Sequence, residues 1–436
     1  MFKSIKRKII LVVLLIITIV LYKSDLIMIQ IPAKIQELTQ NKVKLRDASF
    51  GIMKFVDQIN PFVGKIPLDS ITENITTFNI ILPNNNLKLL EKNKALVKKV
   101  HSSYLANDKS LFDNNYIKSR VQIDGKTYKA KLKFHAGSDL NKKSQYRIKF
   151  KKSKLYDGMR SISLLTLSKS NASAALSYEL QKKYLGLKVK TRLVKVKING
   201  LEQGVYMLEE RLGKELLERN NLSGVDIFKF DNTWDHQYNT NHSHPFVYTQ
   251  ANTKFDNISK RDVGQKYIID NILSSKVKDI YKYIDKDYFA KYMAILALYA
   301  DRHSIDGDNI KFMYNTSNSR VYPFLRTEHV LYKLETSGNF SFDKFLYNIN
   351  LDDKQKNKRF YSGLFVDLIQ DKEFRELRNK YLYQFVLDKD ELLKDYDSIN
   401  NLIQNITDAD SSNLFPTRFY RFNFKKKRKH LVNNLN

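Results

Sequence analysis

The chain has no cysteine, so disulfides, cysteine-ligated zinc and thiol catalysis are excluded together, while the compartment stays open. Serine, histidine and aspartate are all present, but no serine sits in a nucleophile elbow, and a triad hydrolase is set aside. Internal repeats are absent to inspection. No nucleic-acid-binding module is recognisable, and the 26 tyrosines read as core and interface residues rather than as base-stacking platforms. A glycine-rich phosphate loop is missing too, since Gly137 stands alone in its loop.

Negative charge is scarce: 46 Asp and Glu face 75 Lys and Arg, a net charge of +29. So basic a body is drawn to anionic lipid or to an acidic polymer. Nucleic acid is disfavoured by the missing module and by the N-terminal segment. "FKKKRKH" (Phe424–His430) concentrates the charge and reads as a solvated tail or as a contact for a membrane surface or polyanion. Long apolar runs are also scarce. The clearest, Ile9–Tyr22, is broken only by Thr18 and follows Lys3, Lys6, Arg7 and Lys8. At about 1.5 Å per residue it falls short of a bilayer core of roughly 30 Å, unless Lys8 and Lys23 snorkel and "DLIMIQI" continues the helix. The sequence after it offers no good small-x-small cleavage site, so an uncleaved anchor is expected ahead of a cleaved signal peptide or a core helix. The basic flank then puts the N-terminus in the cytoplasm and the body outside it, a single-pass membrane protein.

With 42% hydrophobic and 12% aromatic residues, the remainder is globular in character. Ala33–Gln58 has apolar residues at roughly helical spacing and reads as a stalk. "TTFNIILP" predicts a strand followed by a helix through "NNLKLLEKNKALVKKV". Alternating runs around Asp124-Gly125 and around Asn199-Gly200 predict two hairpins. Between them, Ser170–Leu187 predicts a helix that stops at Gly186. "DKDYFAKYMAILALYADRH" predicts a core helix with Phe289, Tyr292, Met293, Leu296 and Tyr299 inward, and Phe360–Ile406 predicts further helices. A sheet-rich first half and a helical second half imply two lobes, whose crevice would take a ligand. The loop Trp234–Phe246, with Asp235, His236, His242 and His244, could hold a metal but reads better as a surface loop.

Three stretches carry chemistry. "FHAGSDLNKKSQYRIKF" is strand, small-residue loop and strand, with Gly137 and Ser138 able to turn backbone N–H groups to phosphates and Lys149 able to reach them as a point charge. "INGLEQGVYMLEERLG" is the second. The third, "HSIDGDNIKFMY", packs Asp306, Asp308 and Asn309 between a helix and a strand. Phosphoryl transfer needs a cation on the phosphates, a carboxylate to orient the acceptor hydroxyl, and oxygen ligands for magnesium.

These stretches resemble the spore-coat-protein-H-like (CotH) kinase family. "KLKFHAGS" with "KKSQYRIKF" is similar to its glycine loop and following strand, "VKINGLEQGVYMLEERLGKELLERN" to its central hairpin, and "HSIDGDNIKFMYNTSNSRVYPF" to its catalytic loop. The resemblance implies an α+β, two-lobed atypical protein-kinase-like fold with a sheet-rich N-lobe and a helical C-lobe, behind an N-terminal transmembrane helix. The domains expected are an anchor over 1–31, a helical stalk over 32–72, a kinase domain over 73–350, and a C-terminal helical extension with a basic tail over 351–436. It implies ATP and magnesium as cofactors and transfer to a protein or cell-envelope substrate. Lys149 would hold phosphates, Glu179 would be its helix partner, and Glu209 or Glu210 would lie at the hinge. Asp306, with Asp301 as alternate, would be the catalytic acid, and Asn309, Asp308 and Glu328 would serve the metal. The chain departs from the family pattern where a metal aspartate is expected: "PFLRTEHV" carries Leu325 and Thr327 there, leaving Glu328 nearby. The alternative function is a catalytically inactive relative that serves as a binding or assembly component for cell-surface polymer.

Overall fold

A computed structural model describes residues 73–103, 116–134, 144–167, 172–222, 224–230, 248–250, 277–299, 304, 311–325, 359–409, 428–429 and 431–435. The chain divides into two compact units, Met1–Glu73 with Gln404–Lys426, and Asn74–Ile403 with Lys427–Asn436. The architecture below belongs to the second unit, apart from the residues of the last helix beyond Ile403.

Alternating side chains build the first sheet. Strand β1 (Thr77–Ile81) leads into helix α1 (Asn84–Ser103), and then β2 (Ile117–Ile123) and β3 (Lys126–Phe134) form a hairpin. Every second residue of β2 is buried and the others are exposed, which is the signature of a strand with one face on a core. The hairpin turns on Asp124 (φ 47°) and Gly125 (φ 73°), the paired left-handed residues that a two-residue type I′ turn requires. Strands β4 (Tyr146–Phe150) and β5 (Ser161–Thr166) follow, then helix α2 (Ala172–Leu185), ended by Gly186 at φ 67°. The second hairpin, β6 (Thr191–Ile198) and β7 (Leu201–Glu210), turns on Asn199 and Gly200. Parallel pairing of β1 with β6 closes the sheet into a seven-stranded barrel in the order β1-β2-β3-β4-β5-β7-β6. Phe78, Val121, Leu132, Ile148, Ile162, Val196 and Leu208 fill it.

Helix α3 (Lys214–Arg219) leaves the barrel. A second sheet follows, built from β8 (Val225–Phe230), β9 (Tyr248–Gln250), and the hairpin β10 (Lys311–Asn315) with β11 (Arg320–Phe324), in the order β11-β10-β8-β9. Leu187, Leu212, Leu216, Leu217, Ile227, Met313 and Phe324 form its core. Between β9 and β10 lie α4 (Val277–Ile280) and α5 (Lys286–Tyr299). Asp285 accepts the Tyr288 N–H at 2.9 Å and caps α5. All five expected inward residues of α5 are at most 1% exposed. Helices α6 (Arg359–Gln370), α7 (Lys372–Leu387) and α8 (Lys389–Ala409) complete the chain order, with α5 packed against α2 and α7.

Two expectations are overturned. The sheet-rich part is a closed barrel, not the N-lobe of a two-lobed kinase-like fold behind a transmembrane helix. Alternation shows that a strand has one buried face, but it does not show whether the first and last strands of the sheet meet, and here their meeting removes both open edges. Among the described residues no helix is long and apolar enough to cross a membrane. The expected single-pass membrane localisation, with cytoplasmic N-terminus and external body, therefore finds no spanning helix among the described residues. The run Ile9–Tyr22, the stalk over Ala33–Gln58 and the histidine loop Trp234–Phe246 lie outside the described residues.

Candidate functional site

Strands β3 and β4 carry basic residues at every second position, so their cations share the face turned away from the barrel core. The register fixes which of them are neighbours. Lys133 lies opposite Arg147, Arg147 opposite Ser163 on β5, and Ser163 opposite Glu209 on β7. One step along the strands, Lys149 lies between Lys131 and Ser161. Adjacent strands stand about 4.8 Å apart and alternate residues about 6.7 Å apart, so Lys133, Arg147, Lys149 and Glu209 occupy a patch small enough to serve one ligand. Lys133 and Glu209 are buried, at 7% and 9% exposure, and Ser163 is at 1%. Lys133 Nζ also lies 4.7 Å from the centre of the Tyr116 ring. Burial raises the strength of charge interactions within such a patch. Residues Gly137 and Ser138 lie outside the described residues, but the strands their loop joins are the two that bear these cations, with Phe134 paired to Tyr146 beside it.

The three candidate carboxylates separate. Glu179 is exposed and pairs along its own helix with Lys182 at 3.3 Å. It is not the partner expected for Lys149. Glu209 and Glu210 are consecutive on β7 and therefore face opposite ways. Glu209 shares the row with Arg147. Glu210, 2% exposed, bonds the Arg219 guanidinium on α3 and accepts the Lys190 N–H at 3.3 Å. Burial pushes its carboxyl above the ordinary value, and Arg219 offsets this only in part. Both stand where the chain leaves the barrel for α3. Glu210 ties those elements together, whereas Glu209 faces the cations.

Sequence reasoning singled out Lys149 and passed over Lys133, Arg147 and Ser163. The missed signal was present: "KLKF" and "YRIKF" put two cations each on one side of a strand, and the hairpin register brings them together.

Asp301, Asp306, Asp308, Asn309 and Glu328 lie outside the described residues. The elements that flank them are described. Helix α5 ends at Tyr299, and "KFMYN" and "RVYPF" of the third stretch form β10 and β11, paired from Lys311–Phe324 to Asn315–Arg320. Leu325, at one position where the family pattern has aspartate, is fully buried. Among the described residues no group of three His, Asp or Glu could hold a metal ion. The cation rows suit the phosphates of ATP, and the oxygen ligands that would serve magnesium, Asn309, Asp308 and Glu328, are among those five residues beyond the description.

The family model for CotH kinase protein matches residues 121–431, the bulk of the chain. The chain belongs to the CotH kinase family. The CotH match begins within β2, spans the candidate patch and both flanks of the Asp306 loop, and ends at Leu431. A comparison with curated proteins finds no match.

Proposed function

We propose that this CotH-family chain is a phosphotransferase that uses magnesium and ATP to phosphorylate a protein or cell-envelope substrate. The observation that carries the reading is the register of β3, β4, β5 and β7, which gathers Lys133, Arg147 and Lys149 with Glu209 on one outer face of the barrel. ATP supplies the phosphoryl group when bound. Lys149 and Arg147 neutralise its phosphates, and the backbone N–H groups at Gly137 and Ser138 add hydrogen bonds. Glu209 takes the part of carboxylate partner to these cations, first assigned to Glu179 as the helix partner of Lys149. Asp306 positions the acceptor hydroxyl and accepts its proton, with Asp301 the alternate. Asn309, Asp308 and Glu328 supply oxygen to magnesium.

Buried Leu325 favours a second reading, because an apolar side chain inside the fold cannot stand in for a metal aspartate. In that reading the chain binds and assembles cell-surface polymer without catalysis. Transfer from γ-labelled ATP to a cell-envelope extract, or autophosphorylation, separates the two. The kinase reading predicts incorporation that Asp306→Ala lowers at least 100-fold with the unfolding midpoint unchanged. Nucleotide binding without any incorporation supports the second.

A further inference from the structure

The cations of the candidate patch continue onto a part of the barrel that phosphotransfer does not use. On the outer face of β2 and β3, Lys118 lies opposite Lys131 and Arg120 opposite Lys129, while Lys131 in turn neighbours Lys149 on β4. The Lys151 N–H donates to the Lys129 carbonyl at 2.9 Å, extending the second row by another lysine. Lys118, Arg120, Lys129 and Lys131 are all exposed. Like charges directly opposite each other on neighbouring strands destabilise a sheet. No acidic residue occurs anywhere in β2, β3 or β4. Among the described residues none of these four side chains has an ion-pair partner, whereas Lys183, Lys190, Lys286 and Lys291 elsewhere each meet a carboxylate. A face that keeps unrelieved repulsion gains most from an external anion.

We infer that the outer face of β2 and β3 is a docking surface for an acidic polypeptide segment in extended conformation. The period selects this occupant. Along each strand the cations recur about every 6.7 Å, and the carboxylates of alternate residues in an extended peptide recur at the same interval on one side. None of the outward residues of β2 and β3 is aromatic, and the ring of Tyr116, just before β2, is taken by the Lys133 ammonium, so the face lacks the row of rings on which single-stranded nucleic acid would stack. The exposed large apolar residues among those described, such as Leu89, Leu201 and Leu387, are all off these strands, so the face lacks the apolar anchor typical of membrane-surface binding. The inference stands apart from phosphotransfer, because docking is read without nucleotide.

The test is fluorescence polarisation of a labelled decaglutamate peptide on the full chain, with no ATP present. Wild type should bind, with affinity falling as salt rises. The double variant Lys118→Glu, Arg120→Glu should weaken binding at least tenfold. Each reversal places a carboxylate opposite a cation of β3, so the thermal midpoint should hold or rise, and a fall would be read from the same sample. Reversal of Lys380 and Lys394, exposed on α7 and α8, should leave binding unchanged. The inference is overturned if the peptide does not bind, if both double variants weaken it equally, or if the β2 reversal instead abolishes binding of anionic vesicles or an oligonucleotide while the peptide is ignored.

Discussion

Asp388 joins two helices through one side chain. It follows the last residue of α7, and its carboxylate accepts from Lys183 Nζ at 3.0 Å and from the Tyr184 hydroxyl at 2.8 Å, both near the end of α2. The Lys183 ammonium, and after it the Tyr184 hydroxyl, hold the Asp388 carboxyl below its ordinary value. Burial, reinforced by that same bond, pushes Tyr184 up to about 12. A carboxylate depressed in the folded state stabilises above its unfolded pKa of about 3.9, and that contribution is lost as pH falls through the folded value. Half the Lys183 side chain is exposed, so solvent screening limits the gain. Asp388→Asn should therefore cost about 1 kcal/mol in urea unfolding at pH 7, and the gap should narrow as pH falls below the ordinary carboxylate range. A gap independent of pH would assign the effect to packing. Nothing in the sequence marked this contact, because its partners lie some two hundred positions apart. The same limit explains Glu179. Its helix was legible from "SNASAALSYELQKKYLGL", but the face on which the glutamate emerges depends on what the helix packs against.

The hairpins were the most legible elements, because their turn residues are dictated by backbone geometry. Asn199 adds a second role. From a left-handed backbone its side chain accepts the Leu82 N–H at 2.8 Å and donates to the Leu82 carbonyl at 2.9 Å, so the β6–β7 turn is fastened just beyond β1. That clamp stands at the parallel seam where the barrel closes. Asn199→Ala removes both hydrogen bonds and places an alanine at positive φ, for an expected loss of about 2–3 kcal/mol. Asn199→Asp keeps the acceptor and should cost less. Denaturant titration of the two variants checks the order; equal losses would show that the bond donated to the Leu82 carbonyl, which both variants lack, carries the whole effect. Closure itself was not legible. The strands of the two hairpins announced one buried face each, but β1 and β6 pair across more than a hundred intervening residues, and no local pattern encodes that meeting.

At the scale of the whole molecule, the excess of positive charge is partly structural. The basic C-terminal run does not read simply as a tail, for Arg428 grips Asp397 with two hydrogen bonds of 2.6 and 2.7 Å. Leu431 and Leu435, one helical turn apart, are each 1% exposed, and Asn434 donates to the Leu298 carbonyl at 2.8 Å at the end of α5. The ending is thus packed into the helical part of the fold. Leu431→Ala should cost about 3 kcal/mol by thermal or urea unfolding, the range of a buried leucine truncation, whereas a solvated tail would show no change. The rest of the positive charge is displayed on the barrel. Its alternation was visible in "KTYKAKLKF" and "YRIKF", but only the register between those strands turns three separate cations into one site. The central claim is that this site receives the phosphates of ATP at Lys149. Isothermal titration of the full chain with magnesium–ATP tests it most directly. Wild type should bind, Lys149→Ala should weaken binding at least tenfold, and Glu179→Ala should leave it unchanged; equal affinity for wild type and Lys149→Ala, or no binding by wild type, would contradict the account.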